Sequence, residues 1–180
     1  MSQLPRKHPL HRWFASLVET SFQSEVGIAD VHVLDYLTDL LTEFIHVERI
    51  NLLADGRQVE DVAAMLSAAE IGAKSDDERK REYHRHIGDF TLFWTGVYPE
   101  NLRRMQRRHA KDELIDYLDQ GKRSYLIASN LSTDHSEPPG EVLHCLSDQF
   151  EYCVYGLGLV RKQWEKSGPG GPGGLDLMLN

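Results

Sequence analysis

Cysteine is nearly absent: the 180-residue chain holds two, Cys145 and Cys153. A single helix would set them about 12 Å apart, too far for a bond between them. They are expected as reduced, buried thiols of a cytoplasmic protein. No apolar run approaches the ~20 residues that cross a bilayer, and the basic residues within Met1–Trp13 precede no apolar signal stretch. Neither export nor membrane insertion is expected. Period-two alternation between hairpin turns is missing, which argues against a sheet. The chain also lacks a Walker loop, a Gly-x-Ser-x-Gly elbow, Cys-x-x-Cys and His-Glu-x-x-His. Enzymes built on those motifs are disfavoured, and no catalytic residue is assigned.

What is present is helical periodicity in a composition that is 41% hydrophobic and 27% charged, as in globular proteins. A first helix is read over Leu10–Gln23, and Gly27 ends that neighbourhood. Asp30 caps a second, with Val33, Leu34, Leu37, Leu40, Leu41, Phe44 and Ile45 at three- and four-residue spacing. Asp55-Gly56 marks a turn before a short helix through Val59, Val62, Leu66 and Ile71. Ser75 and Glu78 stand at capping-box spacing before a helix through Phe90–Trp94, which Gly96 and Pro99 interrupt. Pro99 opens a further helix through Met105. Another runs from Leu114 to Ile127 with a break near Gly121, and a last one from Glu141 to Trp164 follows the Pro138-Pro139 loop. Gly156 and Gly158 inside it predict close approach of a neighbour or a kink.

The expected architecture is an all-α, single-domain bundle of six or seven helices. Residues 1–9 are read as a flexible arm, 10–166 as the bundle, 167–174 as a Gly/Pro linker and 175–180 as a short apolar peptide. That peptide, with Leu175, Leu177, Met178 and Leu179, resembles a tethered docking sequence of the kind carried by encapsulin cargo proteins. A protein partner is therefore expected through the tail or a helix face, and self-association is a second option.

Charge is uneven. The net value is −8, yet Arg79–Lys111 carries nine Lys/Arg against Glu82, Asp89 and Glu100. Arg103, Arg104, Arg107 and Arg108 share one side of a helix, a pattern suited to an acidic protein surface or an anion. Overall acidity and the lack of interleaved aromatics argue against nucleic acid.

Two Glu-x-x-His pairs, Glu43/His46 and Glu141/His144, can each put a carboxylate and an imidazole on one helix face. The pattern resembles the ferritin-like family, which implies a di-iron centre, completed by Glu19 and by Glu82 or Glu113, and an oxidoreductase or iron-storage role. The competing reading is two solvated stripes: His32, Asp35, Asp39, Glu43 and His46 on one helix, and Glu141, His144, Asp148 and Glu151 on another. A third candidate is His84, His86 and Asp89: Glu82, His86 and Asp89 share one helical face, which suits proton transfer or a metal, or a buried structural role in which Asp89 satisfies backbone or an Arg.

The segment from Arg85 to Glu100, with Gly88-Asp89, an aromatic run and Gly96-x-x-Pro99-Glu100, resembles a signature of an uncharacterised family of bacterial helical proteins. The resemblance extends over Val33–Leu159 and implies the helical fold without implying an activity.

Overall fold

The computed structural model describes residues 5–54, 76–102 and 116–167, with the side chains of 47–54 excepted. These residues are helical, with no strand among them. The helices are α1 (Pro9–Ser21), α2 (Val31–Ala54), α3 (Asp77–Val97), α4 (Tyr117–Asn130), α5 (Gly140–Asp148) and α6 (Phe150–Ser167), with a π-helical turn at Phe22–Val26. No described helix is long and apolar enough to cross a membrane. The turn at Asp55-Gly56, the helix over 59–71, Ser75, the basic block at Arg103, Arg104, Arg107 and Arg108, Glu113, and the peptide with Leu175, Leu177, Met178 and Leu179 lie outside the described residues.

The chain groups into two compact units, Met1–Arg57 with Tyr155–Asn180, and Gln58–Val154. In the first, Pro9 occupies the opening turn of α1, where its missing N–H costs nothing, and His8 Nδ1 accepts from Leu10 N–H. Leu10, Phe14 and Val18 recur every fourth residue and are fully buried. The π-turn carries Phe22 into the same core, and Gly27, at φ 83°, ends it by donating to the Phe22 carbonyl. Asp30 caps α2 as the sequence predicts, accepting from the N–H groups of His32 and Val33. Trp13, Phe14 and Trp164 stack edge to face. Gly156 takes the close-approach option: a side chain there would meet the Phe22 ring at under 3 Å.

Residues 5–8, assigned by sequence to a flexible arm, are engaged. Arg6 pairs with Asp35 at 3.2 Å and Asp39 at 3.5 Å, and His11 Nε2 lies 2.7 Å from Asp39 Oδ1. The acidic stripe of α2 is thus partly covered by its own chain.

In the second unit α3 packs on α4, and α4 on α5. Asp76 caps α3 through Glu78 N–H, and Asp116 caps α4 through Leu118 and Asp119 N–H. Contrary to expectation α4 runs unbroken through Gly121, because the glycine serves packing: Phe150 and Thr91 fill the space a side chain would take. The long terminal helix read from Glu141 to Trp164 is two helices, separated at Gln149. The break turns Phe150 into the core, 6.0 Å from the ring of Tyr125 and fully buried. Ser147 Oγ donating to the Lys122 carbonyl anchors α5 just before it.

Candidate functional site

The densest polar assembly in the second unit grows from one face of α3. Arg81, Arg85 and Asp89 follow at four-residue spacing, which places their side chains along a single ridge. Arg85 Nη2 donates to Glu82 Oε2 at 2.9 Å, and its Nη1 donates to Asp89 Oδ2 at 3.3 Å. The other Asp89 oxygen accepts from the Tyr125 hydroxyl at 2.8 Å. Asp89 is therefore a buried carboxylate that an arginine neutralises and a phenol hydrogen-bonds, the structural alternative read for it from the sequence. Gly88 makes the arrangement possible, because any β-carbon there would stand 2.7 Å from the Tyr125 ring.

Arg81 is only 3% exposed and extends the assembly to the loop before α5. Its Nε donates to Ser132 Oγ at 2.8 Å, its Nη2 to the Pro138 carbonyl at 2.6 Å, and its Nη1 to Glu82 Oε1 and the Glu137 carbonyl. Two of the loop's backbone acceptors are met by one guanidinium fork.

His84 lies one turn from Arg81 and is buried, with no hydrogen-bond partner for Nδ1 among the described residues. Burial, and secondarily the charge of Lys80, pushes its pKa below 6.5. The sign follows directly: an unfolded His takes up a proton near pH 6.5 that the folded ring resists. Stability is present above that value and declines as pH falls from it through the lower folded value. His84→Gln is expected to flatten the decline in urea stability between about pH 7 and pH 5. Parallel curves for the two proteins would remove His84 as its source.

The metal-ligand candidates are placed differently. Glu43 and His46 are half-buried on α2 in the first unit, and Glu141 and His144 are exposed on α5 in the second. His144 Nε2 lies 3.6 Å from Asp148 within its own helix. Among the described residues no three His, Cys, Asp or Glu side chains gather as metal ligands would. Cys153 is buried, and burial pushes its thiol up to about 12, far from the thiolate that metals and electrophiles need.

Sequence reasoning missed Arg81, Ser132 and Tyr125. The signal for Arg81 was its four-residue spacing to Arg85; Tyr125 was counted only among the apolar positions of its helix. What the cluster can do is rigidify. The Glu82 and Asp89 carboxylates and both guanidinia are committed to each other, to the Tyr125 and Ser132 hydroxyls and to backbone.

A different surface remains on the outer side of this unit. Lys122 on α4 bonds Glu151 on α6 at 2.8 Å, and Leu118 and Leu126 stand one turn before and after it. Leu118 is 38% exposed, Leu126 39%, and Tyr152, beside Glu151, 63%. Comparison of the chain with protein-family models, with curated proteins and with solved structures finds no match.

Proposed function

We propose that this chain is a non-catalytic helical interaction module that docks another protein on the α4/α6 surface of its second unit. The observation that carries the reading is the exposure of Leu118 and Leu126, one turn either side of Lys122 on α4, and of Tyr152, next in sequence to Glu151, to which Lys122 is bonded. Tyrosine is enriched in protein contact sites, where its ring supplies a large amphipathic area. The inward commitment of the α3 cluster supports the same reading, since a rigid scaffold suits a recognition surface. The reading does not depend on the terminal peptide 175–180.

A photo-cross-linking residue placed at position 152 and irradiated in the native cells is expected to yield one dominant protein adduct. Leu118→Asp with Leu126→Asp should abolish it while leaving the circular dichroism unchanged, because a desolvated charge opposes docking. An equal adduct from exposed position 165, or survival of the adduct in the double variant, would overturn the proposal.

A further inference from the structure

We infer that residues 5–8 form a proton-responsive strap, which acidification releases from α2 while α1 stays docked. The inference is independent of the interaction reading and concerns the first unit alone. His8 ties the strap to α1. Its N–H donates to the Pro5 carbonyl at 2.7 Å, its carbonyl accepts from Arg12 N–H at 3.1 Å, and its Nδ1 accepts from Leu10 N–H at 3.2 Å. The last of these bonds requires a bare ring nitrogen, so the cap exists only in neutral His8. A protonated ring loses the acceptor and sets a cation at the positive end of the α1 dipole.

His11 acts on the other end of the strap. A carboxylate accepts and does not donate, so the 2.7 Å bond to Asp39 Oδ1 uses the Nε2 proton and survives protonation of the ring. The charged ring then becomes a second cation on the carboxylate that Arg6 Nη2 reaches at 3.5 Å. Protonation therefore tightens α1 on α2 and weakens the hold of Arg6 on Asp39. What remains to Arg6 is Asp35, 3.2 Å away, in a pair whose side chains are 67% and 48% exposed and which water screens.

Other charges surround the junction on each element. Lys7 and Arg12 are exposed beside the two histidines. On α2, His32 stands one turn before Asp35 and Glu43 one turn after Asp39. α6, whose Trp164 stacks on Trp13, carries Arg161 bonded to Glu165 at 2.8 Å and the exposed Lys162 and Lys166. These groups set the pH at which the strap lets go; the direction follows from the bonds of His8 and His11.

The test uses the full chain labelled with nitrogen-15. Backbone order parameters of Arg6, Lys7 and His8 are expected to fall from about 0.85 at about pH 7.5 to below about 0.6 at about pH 5, while Val18 within α1 stays near 0.85. His8→Asn keeps a side-chain oxygen that caps at either pH, and His11→Gln keeps a neutral N–H donor toward Asp39. The double variant should hold the strap's order level across that range.

An undiminished fall in the double variant would overturn the inference. So would a parent strap equally ordered, or equally mobile, at both pH values, or a loss of order at Val18 in step with it, which would mean that α1 itself unfolds. Ring nitrogen shifts of the parent decide the matter if the double variant fails to fold. Nδ1 of His8 should be bare at the upper pH, and the strap's order should vanish at the midpoint where His8 or His11 takes up its proton. A midpoint matching neither ring would overturn the inference.

Discussion

Arg81→Met is expected to destabilise the second unit by about 2 kcal/mol, because one substitution removes a buried guanidinium from several part-buried acceptors at once. The methionine fills much of the volume, so the loss reports hydrogen bonding more than packing. Pro138 O, Glu137 O and Ser132 Oγ all depend on this guanidinium. The ion pair with Glu82 adds little, since Glu82 is 43% exposed and water screens it. Arg81→Lys should recover only part of the loss, as an ammonium cannot reproduce the planar fork. Urea unfolding followed by Trp94 fluorescence, with Trp13 and Trp164 replaced by Phe, measures the effect. Hydrogen exchange of Thr133–Ser136 should accelerate in step. A variant within about 0.5 kcal/mol of the parent would show that the loop does not need its anchor.

Gly121→Ala is expected to act against its intrinsic helix propensity. At an open helix position alanine would stabilise by about 1 kcal/mol relative to glycine. At 121 the added methyl would stand 2.5 Å from Thr91 Oγ1 and closer still to the Phe150 ring. Both neighbours are fully buried, and Thr91 is held by its bond to the Ile87 carbonyl at 2.8 Å. Overpacking of this kind costs about 1–3 kcal/mol, so a net loss near the upper end is expected. Pairing it with Phe150→Leu should restore part of the stability if the clash is the cause. Additive losses in the double variant would place the cost elsewhere.

The helical periodicity of α1 and α2 was legible because the pattern that forms them is local. Leu10, Phe14 and Val18 recur at the helical period, and Asp30 caps the next helix with its own side chain. The break at Gln149 was not legible. No glycine or proline marks it, and it follows from Phe150 turning toward Tyr125 and Gly121, contacts about 30 residues away in sequence. Arg6 shows the same limit: its partners lie 29 residues on at Asp35 and further at Asp39, so composition reads it as part of a loose arm.

The α3 cluster divides along the same line. Sequence placed Glu82, His84, His86 and Asp89 on one helix and anticipated an arginine for Asp89, because i, i+4 geometry is intrinsic to a helix. It could not supply Tyr125 or the loop carbonyls, which meet α3 only after the chain folds back. Sequence by itself therefore determined that the chain is helical, where α1 and α2 begin, and that a carboxylate would enter an apolar run. Tertiary structure alone decided that Gly88 and Gly121 are packing sites, that Arg81 holds the loop before α5, and that Leu118, Leu126 and Tyr152 stay outside. Helix formation rests on contacts three and four residues apart, whereas burial and exposure depend on which distant faces meet.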